Sequence, residues 1–423
     1  MSRLMKETPC PWIGEIPSDW NIERVKNGFY RKKGAAHVEE PVILSLARAG
    51  VKVRDLSKNE GQIAESYYNY NPVEPGDLLL NPMDLQSGAN CSISQVSGVI
   101  SPAYINLGAK KGYDSLFYDY YFKTQYWAMA LFAHGKGVSY DNRWTLSADD
   151  LMKYYIPVPS FEEQKRISKF LKKQCEYIDS VLETVNNSIS EYKKLKQAII
   201  SQAVTKGIKD NCSLTDSGNI WFGEIPDTWK LMKLKYIFRI KKDIAGEEGY
   251  TVLSITQKGI KPKDLSKNEG QLAADYSNYQ LVDPGDFAMN HMDLLTGWVD
   301  ISQYSGVTSP DYRVFVLKKP NESNSRYYLY FMQMCYSNRI FYGLGQGVSG
   351  MGRWRLQADK FLNFFIPVPP LDEQREIADY LDSKCSEMDK LIEKNEAFVE
   401  ELENYKKSLV YEYVTGKKEV PQS

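Results

Sequence analysis

The chain has 423 residues, 43% hydrophobic and 25% charged, with a formal net charge of −1. That length predicts more than one core, and no apolar run approaches the ~18 residues a membrane span needs. With no secretory stretch in MSRLMKETPCPW, no CxxC among six cysteines and three histidines at no metal-ligand spacing, a cytoplasmic protein with reduced thiols and no bound metal is expected.

In chain order, the first 157 residues read as a mixed α/β globule. Short apolar runs such as DLLLN (77–81) alternate with turn signals, LSKNEG, EPGD and NPMD. The aromatic stretch YDYYFKTQYWAMALF (118–132) predicts a buried helix. Then comes IPVPSFEEQKRI at 156–167. Its prolines cannot be helical, and Glu162–Glu163 place negative charge where the first turn of a helix favours it. A long helix follows. Its apolar positions Leu171, Cys175, Ile178, Leu182, Val185 and Ile189 step by four and three, the coiled-coil period, and after Tyr192 the pattern skips Lys196.

From residue 212 the chain repeats itself. WIGEIPSDW (12–20) returns as WFGEIPDTW (221–229), MDLQSG (83–88) as MDLLTG (292–297), and SGVISPAY (97–104) as SGVTSPDY (305–312). GKGVS (135–139) returns as GQGVS (345–349), each followed by Arg-Trp. IPVPPLDEQREI (366–377) opens a second helix, whose seam Leu381, Cys385, Met388, Ile392, Val399 and Leu402 skips Lys406. The central helix carries nine Lys/Arg against six Asp/Glu over 161–207, and the C-terminal one eight against thirteen over 371–418. Such complementary charge predicts that the two helices pair with each other, antiparallel because the chain between them must return.

The expected fold is therefore α+β: two α/β domains separated by two long helices packed as an antiparallel coiled coil, a pseudo-two-fold tandem repeat. Boundaries are expected at 1–157, 158–208, 209–367 and 368–423. Inter-helix packing is assigned to Leu171, Ile178, Leu182, Val185, Ile189, Leu381, Met388, Ile392, Val399 and Leu402. The chain termini are expected to lie close together.

Enzyme motifs do not emerge. Asn81-Pro82-Met83-Asp84 lacks the second proline and aromatic of the amino-methyltransferase loop, and its partner Asn290-His291-Met292-Asp293 lacks even the first proline. GKGVS is not a phosphate loop, and neither GxSxG nor HExxH occurs. The chain is expected to be non-catalytic.

The duplicated unit, G-x-G-V-S…R-W…IPVP…[ED]EQ-[KR]-x-I at 135–167 and 345–377, resembles the DNA specificity subunit of type I restriction-modification systems over about residues 12–416. The resemblance implies that each globule is a target recognition domain reading one half of a bipartite double-stranded DNA sequence. It implies that the helices fix the gap and dock two modification (methyltransferase) subunits, with restriction/translocation subunits as further partners. S-adenosylmethionine, ATP and Mg would then sit in those partners and no cofactor in this chain. Comparing the repeats, identical words suit the fold, phosphate contact or subunit docking, while differing words inside a shared frame suit base reading. Candidates are Gln86, Ser87 and Thr296 in the MDL turns, and Lys136, Ser139, Tyr140, Asn142, Arg143, Gln346, Ser349 and Arg353 around GVS. Lys258 and Lys261 suit backbone contact. Arg143, Arg353, Lys136, Ser139 and Ser349 suit phosphates equally. Because the globules are so alike, related half-sites are expected. A coiled-coil scaffold without nucleic-acid specificity and an RNA-binding module are the alternatives.

Overall fold

The computed structural model describes residues 3–58, 64–86, 90–137, 144–209, 212–264, 275–347 and 354–421. It falls into two compact units, Met1–Asn186 with Ala397–Ser423, and Asn187–Glu396. Each unit thus holds one globule together with part of each long helix.

The same sheet is built twice. In the first unit an antiparallel four-stranded sheet runs Phe29–Arg31, Ile105–Ala109, Leu78–Leu80, Cys91–Ile93; in the second it runs Phe238–Lys241, Arg313–Leu317, Phe287–Met289, Val299–Ile301. The strand LLL at 78–80 is buried throughout, which is why its apolar run does not alternate. The aromatic helix, Ser115–Trp127 or Ser325–Ser337, packs on this sheet, its tyrosines and phenylalanines filling the core. One expectation is corrected here. The buried helix is not continuous over 118–132 or 326–341, because Met129 and Arg339 adopt φ of 58° and break it before short helices Ala130–Ala133 and Ile340–Leu344.

The IPVP words are strands. Tyr155–Val158 pairs antiparallel with Asn21–Arg24, and Phe365–Val368 with Lys230–Lys233. A two-stranded ribbon has only edges, where a proline without an amide hydrogen is tolerated. The following helices run Phe161–Lys206 and Leu371–Val414. The EQ of each repeated phrase anchors helix to globule. Gln164, fully buried, accepts from the Asp114 amide at 2.9 Å and donates to Pro159 O at 2.9 Å; Gln374 accepts from the Asn324 amide and donates to Pro369 O at the same distances. Asp114 and Asn324 are the N-caps of the aromatic helices. The repeated glutamine therefore ties the start of the long helix to the start of the core helix.

The helices pair antiparallel within each unit. In the first, Leu171, Cys175 and Ile178 share a core with Leu409, Val410, Tyr413 and Val414 near the other helix's C-terminus; in the second, Ala203 and Val204 share one with Ile377, Ala378 and Leu381. Every assigned seam residue is buried or half-buried. The skipped lysines complete the seam. Lys196 Nζ donates to Asp389 at 2.6 Å, and Lys406 Nζ to Asp179 at 2.5 Å. Net charge suggested one basic and one acidic partner, yet each helix contributes one lysine and one aspartate to this reciprocal pair. At these exposures each bridge is worth about 0–1 kcal/mol, so it fixes register more than stability. Both helices end on a left-handed glycine, Gly207 and Gly416.

The termini meet within the first unit: Arg3 Nε lies 3.9 Å from Glu419 Oε1, and Gly416 packs on Pro17 and Trp20. A circular permutant joining these ends and opened near 208–218 should melt close to the parent chain by circular dichroism. Loss of cooperative unfolding would contradict this connectivity.

Among the described residues no helix is long and apolar enough to cross a membrane, and no group of three or more His, Cys, Asp or Glu is placed to hold a metal. All six cysteines are free.

Candidate nucleic-acid interface

Three segments converge at one end of each sheet. The first is the turn joining the last two sheet strands, at 81–90 and 290–298. Its asparagine is held from both sides. Tyr126 Oη donates to Asn81 O at 2.8 Å and Tyr336 Oη to Asn290 O at 2.7 Å, while the asparagine side chains accept from the Met83 and Met292 amides. Gln86 is exposed on this turn. Thr296 is also exposed, but its hydroxyl donates to Asp293. Partial burial alone would raise the Asp293 pKa; hydrogen bonds from the Thr296 hydroxyl and the turn amides outweigh it and hold the carboxyl below its ordinary value.

The second segment is the stem of the G-x-G-V-S loop. Lys136 and Thr145 exchange two backbone hydrogen bonds, 2.8 and 3.0 Å, as do Gln346 and Arg355, 2.9 and 3.0 Å. The repeated glycine and tryptophan explain each other. Trp144 Nε1 donates to Phe132 O and Trp354 Nε1 to Tyr342 O. A Cβ at Gly135 would lie 2.6 Å from the Trp144 nitrogen, and one at Gly345 2.5 Å from that of Trp354. The stem is tied to the turn, since the amides of Leu146 and Leu356 donate to Pro82 O and His291 O. Lys136 is largely exposed beside Asp150 at 3.3 Å.

The third is a β-hairpin, Leu44–Ala47 with Gly50–Val53 and Leu253–Thr256 with Gly259–Pro262. Lys258 lies on its tip and Lys261 on its second strand, both exposed. The hairpin touches the turn and the strand after it: Gln257 Nε2 donates to Thr296 O at 3.2 Å and the Ile260 amide to Asp300, on Val299–Ile301, at 3.2 Å. Gln86 thus shares one sheet end with Lys136 in the first unit, and Thr296 with Gln346 and Lys258 in the second. Ser87, Ser139, Tyr140, Asn142, Arg143, Ser349 and Arg353 lie outside the described residues.

Three residues of the second unit had no place among the candidates: His291, noted only as the replacement for Pro82, Arg313 and Arg355. Aligning the repeats through the sheet sets them against Pro82, Ile105 and Thr145, a signal present in the sequence but outside the repeated words. Arg313 is 5% exposed and donates to Leu356 O at 2.7 Å. Burial lowers its pKa to about 10. Burial, then the charges of Arg313 and Arg355, lower His291 to about 4. The unfolded chain therefore binds a proton at this histidine, near pH 6.5, that the folded chain refuses. The stabilisation is complete above that pH and is lost as pH falls towards about 4. The drop in melting temperature between about pH 7 and pH 5 should be smaller in His291→Asn than in the parent; an equal drop would contradict the burial of a neutral ring.

Each unit is an α/β globule with a sheet-end turn, stem and hairpin, and parts of the two long helices pack antiparallel within it. Residues 226–401 match the type I restriction modification DNA specificity domain. The chain is 26% identical to the type I restriction enzyme MjaVIII specificity subunit of Methanocaldococcus jannaschii, over 95% of this chain and 93% of that one. It is 23% identical to the putative MjaX specificity subunit of the same organism, over 96% and 95%. A solved chain from work on complex assembly and conformational transition of the type I R-M system shares the fold with a TM-score of 0.67 at 14% identity, covering 95% of this chain and 99% of that one. The HsdS subunit from Thermoanaerobacter tengcongensis gives 0.50 at 15%, covering 97% and 100%. The chain is thus similar over nearly its whole length to specificity subunits of type I restriction-modification systems, and it shares their fold.

Proposed function

We propose that this chain recognises DNA sequence for a type I restriction-modification complex, each globule reading one half of a bipartite target. The observation that carries the reading is the duplicated loop set. The same turn, glycine–tryptophan stem and hairpin are built twice, and exposed side chains differ within one backbone frame. Shared positions then meet the phosphates common to any duplex, and differing positions meet bases. Recognition domains span 1–157 and 209–367, and the helices at 158–208 and 368–423 set the unread gap, with half-site centres about one helical turn, ~10 bp, apart.

The chain is not itself an enzyme on this reading. Two methyltransferase subunits dock on the helices, with restriction/translocation subunits beyond them, and these partners bring S-adenosylmethionine, Mg and ATP. The assembly works in the cytoplasm, where its DNA lies. A near-neutral chain binds duplex weakly alone, since affinity for phosphate follows basic charge.

Gel shift with duplex DNA and with RNA, with and without the methyltransferase subunits this reading requires, tests it. Specific retardation of duplex DNA that strengthens with those subunits is expected. Retardation of RNA alone, or of nothing, would favour the RNA-binding or scaffold alternative.

A further inference from the structure

Three differences between the repeats meet at one place in the second unit. His291, Arg313 and Arg355 stand where the first unit has Pro82, Ile105 and Thr145. The backbone around them is unchanged. Arg313 pairs with Met289 as Ile105 pairs with Leu80, and the stem ladders and their ties to the turn are the same. The substitutions therefore change side-chain chemistry within a fixed frame.

That chemistry is expensive for the fold. Arg313 is buried, rests over the Phe361 ring at 5.1 Å and has no carboxylate partner among the described residues. An unpaired buried cation is unfavourable, and the first unit packs the same spot with isoleucine. His291 keeps a buried ring Nδ1 without a hydrogen-bond partner among the described residues. Arg355 is exposed on the stem, beside the G-x-G-V-S loop, and its charge acts on the same ring as that of Arg313. A contact with phosphate would serve both units alike, because both half-sites have the same backbone. A cation found in one unit alone suits a base, and guanine offers arginine two acceptors, O6 and N7.

Resting on the reading that each unit contacts one half-site, we propose that Arg355 reads a guanine in the second half-site, with Arg313 and His291 as positioning residues. Thr145 leaves the matching position of the first half-site without this contact.

The test uses the full chain with its methyltransferase subunits and selection from randomised duplexes, followed by sequencing. Arg355→Thr should abolish a preference of roughly tenfold or more for guanine at one position of the second block and leave the first block unchanged. Thr145→Arg should create a guanine preference in the first block. Arg313→Ile should melt at or above the parental temperature yet weaken the same guanine preference; an unchanged preference would remove Arg313 from the site. A uniform loss of affinity in Arg355→Thr with the motif intact would make Arg355 a phosphate contact and overturn the proposal, as would an unchanged motif. Arg355→Lys, which keeps the charge but not the fork, should lose most of the preference; retention of it would also contradict base reading. Failure of the parent chain to enrich any two-block motif would instead overturn the proposed function itself.

Discussion

Leu171→Ala and Leu381→Ala should each destabilise the chain by about 2–5 kcal/mol, read from denaturant midpoints. Both leucines are fully buried where a long helix leaves its globule, and both belong at once to the helix seam and to a globule core. Truncation leaves a cavity among side chains that cannot all collapse into it. Leu182 sits further along the same seam but is only half-buried, so Leu182→Ala should cost clearly less. Single domains are commonly stable by about 5–15 kcal/mol, and the double variant Leu171→Ala/Leu381→Ala approaches that range. An equal cost at all three positions would contradict the weight given to the junction of seam and globule.

The second large effect concerns specificity. A chain in which residues 12–158 replace residues 221–368 carries two copies of the first recognition unit. Because the strand registers, the Gln164 and Gln374 anchors and the helix seams repeat, the graft should keep its junctions. Its target, mapped by duplex selection, should consist of the first half-site twice. Retention of the parent's second block would contradict the assignment of one half-site to each unit.

Much of this was legible in the sequence because duplication makes function words and fold words separable. The 3.5-residue period exposed the seam, and the skipped lysines marked the two places where the seam turns polar. Their partners were not legible: Asp179 and Asp389 lie 227 and 193 residues from Lys406 and Lys196, on the other long helix, and only the antiparallel register brings them together. Prolines identified 156–159 as non-helical but concealed a strand, because a ribbon edge needs fewer amide hydrogens than an inner strand. The break after the aromatic helix carried no glycine or proline. Met129 and Arg339 accept the strain of a left-handed conformation in leading the chain towards the Gly135 and Gly345 stems. At the interface the turn and stem were found by their repeated words. His291 was noted only for the proline it replaces, and its grouping with Arg313 and Arg355 was missed because the three are distant in sequence and meet only through the Leu356 backbone and the sheet register.

The most direct measurement is the sequence enriched from a randomised duplex library by the full chain with its methyltransferase subunits. The account predicts two specified blocks separated by an unspecified gap, with centres about one helical turn apart, ~10 bp. A single contiguous block, or no enrichment over random duplex, would contradict it.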